Sequence, residues 1–225
     1  RRVLGKEPEK SKPVAVQGDL FGGNTAVAEI QPSTPPVQVF ASKKANYTTV
    51  KTADEIRKLL ADLESSTEFC FDTETTGLNH FQDRLLGISF CIEKGKASYL
   101  PVPADKDEVI RMLEPFNRYF SSDKVKIAHN AKFDMQVLSN YGIAIGAPIF
   151  DTMLAHYVVE PDMRHKMDVL SENYLNYKPI PIEELIGKKG KNQLSLDQID
   201  LEKVSQYACE DADITFQLKH KLEPL

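Results

Sequence analysis

The chain has 225 residues, 41 % of them hydrophobic, and a formal net charge of −5. That length and apolar fraction suit one domain with a real core plus a tail. No apolar run approaches the roughly 20 residues that cross a bilayer, and the opening Arg1-Arg2-Val3-Leu4-Gly5-Lys6 lacks the apolar stretch of a secretion signal. Three cysteines, Cys70, Cys91 and Cys209, form no Cys-x-x-Cys pair, which argues against a cysteine zinc site and a disulfide framework. These features point to a soluble, cytoplasmic protein with no membrane partner.

Charge is unevenly spread. Residues 1–44 hold seven Lys/Arg against four Asp/Glu, or +3, which leaves 21 against 29, or −8, for the rest. A passive nucleic-acid binder normally presents a basic footprint. An acidic body instead suits an enzyme that gathers carboxylates around metal ions.

In chain order, residues 1–44 contain Pro8, Pro13, Pro32, Pro35 and Pro36 among Gly, Ser, Gln and Lys. With little periodic apolar pattern, this stretch reads as a flexible interdomain linker whose one apolar patch is Leu20-Phe21. The domain proper is expected over 45–225. Thr52-Ala53-Asp54-Glu55 has capping-box spacing and precedes Ile56, Leu59, Leu60 and Leu63 at helical intervals. Phe69-Cys70-Phe71 reads as a buried strand, and 84–92 and 97–102 as two more, joined by a turn at Glu93-Lys94-Gly95-Lys96. Helical patterns follow at 106–120, 131–141, 151–159, 167–175 and 201–223, separated by a strand at 124–128 and an extended piece at 148–150. The fold class predicted is α/β, a mixed β-sheet flanked by helices.

Three segments carry chemistry. Asp72 and Glu74, at the end of the first predicted strand, project to one side because strand side chains alternate. Two acids side by side on an apolar strand are costly unless a cation joins them, and Mg²⁺ is commonly held by carboxylates plus substrate phosphate. Asp134 falls in the first helical turns after Asn130, a good cap residue, where the helix dipole alone could explain an acid. Tyr207 and Asp211 are four apart and share a helix face; Glu210 and Asp213 point elsewhere and read as solvated or capping.

Singly these signals are weak. Their order, spacing and flanking residues together resemble the DEDD exonuclease superfamily, in which three motifs supply four acids to two metals. Gln206 stands one residue before Tyr207, which excludes the variant with His in the third motif. More closely, 47–225 resembles the 3′→5′ proofreading exonuclease domain of bacterial family A DNA polymerase I. The likeness extends to Ile149-Phe150-Asp151-Thr152-Met153-Leu154, Arg164-His165-Lys166-Met167-Asp168 and Gly190-Lys191-Asn192-Gln193-Leu194.

The resemblance implies a ribonuclease H-like fold and two divalent ions, Mg²⁺ or Mn²⁺, with Zn²⁺ possible at one site. It implies that Asp72 bridges both ions, that Glu74 and Asp211 complete the tighter site, and that Asp134 holds the second. Tyr207 would orient the attacking water with Glu74. Thr73, Leu78, Asn130 and Arg164 would contact the substrate strand, Leu78 as a wedge near the terminal base. The implied partners are a single-stranded or frayed 3′ end of DNA and a polymerase domain C-terminal in a parent chain.

Leu78 and the nearby Phe81 are apolar side chains able to hold unstacked bases. Lys188-Lys189-Gly190-Lys191 reads as a solvated loop or a phosphate contact. His80, His156 and His220 have no partner at metal-ligand spacing and read as structural or surface residues. Asp151 reads as a helix cap, with a supporting role at the site implied by the resemblance. Two rival functions are RNA trimming of the ribonuclease D kind, which uses the same acids, and a non-catalytic scaffold for a polymerase.

Overall fold

The computed structural model describes residues 45–225. The expected linker and its Leu20-Phe21 patch lie outside the described residues. The elements run β1 Asn46–Thr49, α1 Ala53–Ser65, β2 Glu68–Thr75, β3 Leu85–Glu93, β4 Lys96–Pro101, α2 Lys106–Leu113, α3 Asn117–Phe120, β5 Val125–Ala128, α4 Ala131–Ser139, β6 Ile149–Asp151, α5 Thr152–Val159, α6 Met167–Leu170, α7 Ile182–Ile186 and α8 Leu201–Leu222. Six strands form one mixed sheet in the order β1-β4-β3-β2-β5-β6. The β2–β3 and β3–β4 pairs are antiparallel, and β1–β4, β2–β5 and β5–β6 are parallel.

Local chemistry explains most boundaries. Thr52 and Glu55 form the expected capping box at α1, with Glu55 N donating to Thr52 Oγ1 at 3.2 Å. The helix expected over 106–120 is broken: Pro115 has no N–H to continue the ladder, so α2 stops at Leu113 and a 3-10 turn at Glu114–Phe116 leads into α3. The pattern at 167–175 is also divided. After α6, the Ser171 carbonyl accepts from Asn176 N and, at 3.2 Å, Tyr177 N, which widens the turn into a π-helix. Strand β1, the short helix α7 and a 3-10 turn at Leu196–Gln198 were not expected from the sequence.

Two faces of the sheet bury different residues. Phe69, Phe71, Ile88, Phe90 and Leu100 pack with α1, α2, α3 and α4 through Leu59, Leu63, Val109, Leu113, Phe120, Val137 and Leu138. Cys70, Cys91, Ala97, Tyr99 and Ile127, on the other face, meet α8 through Val204, Ala208, Cys209 and Ala212. The small residues of α8 let that helix lie close on the strands. All three cysteines are buried core residues.

α8 is held along its length by polar contacts. Thr49 Oγ1 donates to Ser205 Oγ at 2.7 Å near the start. Asp213 accepts from Tyr47 Oη and Gly95 N, both at 2.9 Å; Gly95 has φ 77, a turn conformation that glycine adopts freely. Lys219 Nζ pairs with Glu68 at 2.9 Å. Glu210 accepts from the Tyr177 hydroxyl and from Ile180 N at 2.7 Å. Glu210 and Asp213 are therefore buried anchors, where the sequence reading had them solvated or capping. Burying them is tolerable because each is hydrogen-bonded. Among the described residues no helix is long and apolar enough to cross a membrane.

Candidate active site

The site forms where β2 outruns its neighbour. Parallel pairing with β5 covers only Glu68, Phe69 and Cys70. Beyond that, the free Thr73 N–H donates to Asp134 Oδ1 at 3.0 Å, and Thr73 Oγ1 donates to the same oxygen at 2.5 Å. Asp134, from the first turn of α4, thus takes the place of a ladder partner.

On the face of β2 toward α8, Asp72 and Glu74 stand opposite Ser89 and Gly87 of β3. A bulge follows at Glu74/Thr75, a feature common beside active sites because it re-aims side chains. Carboxylate oxygens of Asp72, Glu74 and Asp211 lie within 4.8 Å of one another. Glu74 Oε1 is buried with no hydrogen-bond partner. Three converging carboxylates, one with an orphaned buried oxygen, are a donor set suited to a hard divalent cation. Without one, each pair of charges at that range repels by about 3 kcal/mol at an effective dielectric of 20.

The protonation equilibria register the same crowding. Burial pushes Asp72 up to about 8, and the Asp211 charge adds to it. Asp211 is also pushed up to about 8 by burial, against the lowering effect of the Tyr207 hydrogen bond. Burial and then the Asp72 charge hold Glu74 and Asp134 well above the usual carboxylate range, with the two Thr73 bonds opposing the shift at Asp134. Tyr207 is raised by burial, then by the neighbouring Asp211 and Glu74 charges, so its hydroxyl stays protonated beside Asp211.

The structure therefore brings Asp72, Glu74 and Asp211 together, with Asp134 near enough to feel the Asp72 charge and the Tyr207 hydroxyl beside Asp211. Thr73 is buried, and both its donors are engaged by Asp134. Leu78 is 90 % exposed on the turn after β2. Arg164 and Asn130 are exposed as well. Asn130 occupies the N-cap of α4 with φ 64, but its side chain makes no capping bond. Asp151 caps that helix from outside, accepting from Asn130 N at 3.1 Å and Ala131 N at 2.9 Å, while also capping α5 through Met153 N at 2.9 Å. The expected capping role of Asp151 is present and doubled.

His156, read as a structural or surface residue, is buried with Nδ1 2.7 Å from His165 Nδ1. His220 Nε2 lies 3.0 Å from Glu68. The lysines of 188–191 are exposed. Tyr99 was not found from the sequence: its buried hydroxyl is raised by burial and by the neighbouring Glu74 charge. A Cβ on Gly87 would fall 2.4 Å from the Tyr99 ring tip. Glycine within the apolar run of β3 was the available signal, since it marks close approach of another group.

A family model described as 3′-5′ exonuclease matches residues 47–225. The chain belongs to the 3′-5′ exonuclease family. Among curated relatives of this exonuclease domain, DNA polymerase I of Pseudomonas aeruginosa is 39 % identical over 175 residues, which are 72 % of this chain and 19 % of that protein. DNA polymerase I of Borreliella burgdorferi is 32 % identical over 83 % of this chain and 20 % of its own length. The domain thus spans about a fifth of these relatives.

Solved structures also align with the exonuclease domain. Trypanosoma brucei RNase D in complex with RNA U12 gives a TM-score of 0.64 at 13 % identity, covering 79 % of this chain and 63 % of that one. Brucella melitensis NrnC bound to pGG gives 0.61 at 21 % identity, covering 80 % of each. At such identities the likeness speaks for the fold, and it agrees with the nuclease fold expected from the sequence.

Proposed function

We propose that the domain removes nucleotides from the 3′ end of single-stranded or frayed DNA by two-metal phosphodiester hydrolysis, in a proofreading role within a longer polymerase chain. The observation that carries this reading is the convergence of Asp72, Glu74 and Asp211 oxygens within 4.8 Å. Asp72, Glu74 and Asp211 would hold one divalent ion, and Asp72 with Asp134 would hold the second. Mg²⁺ or Mn²⁺ fits the all-oxygen donor set, and Zn²⁺ is an option at one site. When bound, such ions would lower the pKa of a water and offset the negative charge that develops on the phosphodiester oxygens.

The chain's own residues do the rest. Tyr207 and Glu74 orient the attacking water. Leu78 wedges the terminal base and Asn130 and Arg164 contact the strand, while Thr73, expected to contact it too, is buried with both donors on Asp134 and positions that acid instead. The mechanism alone does not choose DNA over RNA. Identity to DNA polymerase I over most of the chain favours DNA, and four retained acids weigh against a purely scaffolding domain. Matched 5′-labelled DNA and RNA single strands incubated with Mg²⁺ test this: DNA should shorten stepwise and faster. Preferential RNA digestion would move the reading to RNA trimming, and no digestion of either would leave the scaffold.

A further inference from the structure

The turn between β2 and β3 presents two large apolar side chains to solvent, Leu78 at 90 % and Phe81 at 81 % exposure. It is pinned from within. The Asp83 carboxylate accepts from Asn79 N at 2.7 Å and Thr76 Oγ1 at 3.3 Å, and Asn79 Oδ1 accepts from Phe81 N at 3.1 Å. Gly77 lies so close to Asp83 that a Cβ there would fall 2.6 Å from its carboxylate.

A second set of contacts ties the turn to α4, the helix that carries Asp134. Asn140 Nδ2 donates to His80 O at 2.7 Å. The His80 ring lies edge-on to Phe133, with centroids 6.3 Å apart, and packs against Phe81 at 4.1 Å. His80 Nε2 is buried without a hydrogen-bond partner, so ring contacts are what seat the imidazole. A continuous path of rings runs from Phe133, the neighbour of Asp134, to Phe81. An exposed aromatic, on the turn that directly follows the strand carrying Asp72 and Glu74, is thus tied to the helix that carries Asp134.

We propose that Phe81 is a stacking platform for an unpaired base near the 3′ end of the bound strand, and so a determinant of selectivity for single strands. The inference deepens the exonuclease reading and rests on it. Every base has a π-face, so the platform takes any base without reading sequence. A duplex end offers it nothing, because its bases are already stacked on one another. Leu78 is aliphatic and wedges; Phe81 supports.

The test uses this chain with Asp72→Ala to block cleavage, and fluorescently labelled single-stranded DNA whose last two nucleotides are normal or abasic. Adding Phe81→Ala should weaken binding of the normal strand about 5- to 150-fold, the range of a base–aromatic stack, and leave the abasic strand unchanged. Phe81→Trp should keep the preference for the normal strand. With Asp72 intact, the loss in Phe81→Ala should fall mainly on KM. An unchanged normal-to-abasic ratio in Phe81→Ala, or a Trp variant that behaves like Ala, would overturn the platform. Whether the unmodified chain shortens DNA at all is read separately and decides only the exonuclease reading.

Discussion

At the scale of single residues, crowding four buried carboxyls together destabilises the metal-free fold. Asp72 and Asp211, raised to about 8 in the folded chain from an ordinary 3.8, hold protons more tightly folded than unfolded. Stability contributed by the protonated forms is therefore lost as pH rises from about 4 to 8. In chelator, the melting temperature should fall across that window, and Asp211→Asn should flatten the slope. Added Mg²⁺ or Mn²⁺ should restore more stability at pH 8 than at pH 6. A chelated protein that gains stability between pH 5 and 8 would contradict this electrostatic picture.

Activity should divide the residues differently. Asp72→Ala removes a ligand assigned to both ions and should reduce cleavage by several orders of magnitude. Tyr207→Phe removes one hydroxyl and leaves each carboxylate, so losses of about 10- to 1000-fold are expected. Equal losses in single-turnover assays would collapse the distinction between ligand and orienter. Asp72 and Glu74 were legible because strand alternation is local. Glu210 and Asp213 were misjudged because their partners, Tyr177 and Tyr47, are remote in sequence.

At the scale of elements, Asp151 sets how two helices meet the sheet. One carboxylate caps α4 and α5 together, so Asp151→Ala should cost about 1–3 kcal/mol, more than an ordinary cap. For a domain of this size that is roughly 2–12 °C in melting temperature. Because α4 carries Asp134, cleavage should fall along with stability. Thermal melts that match the unmodified chain would show the double cap to be incidental. Elements with strong local signals, such as α1 with its capping box and α8 with its long apolar stripe, were readable in advance. β1 was not: Asn46–Thr49 is short and partly exposed, and only its pairing with β4 makes it a strand. Pro115 did announce the break after α2, against a periodic pattern that hid it.

At the scale of the whole molecule, the sequence conveyed the sheet-and-helix class, but strand order depended on contacts that no local pattern encodes. The excess of acidic residues over 45–225 gives little general attraction for duplex. Unpairing and unstacking a terminal base costs a few kcal/mol, less at a mismatch. Single strands should therefore be degraded fastest, frayed or mismatched 3′ ends next, and blunt duplex slowest. Equal rates at matched salt would contradict a proofreading role.

The most direct test of the central claim is the length of 5′-labelled single-stranded DNA incubated with the purified chain, with divalent metal or with excess chelator. Stepwise shortening from the 3′ end with Mg²⁺ or Mn²⁺, abolished by chelator, is the predicted result. Digestion that continues at full rate in chelator would contradict it.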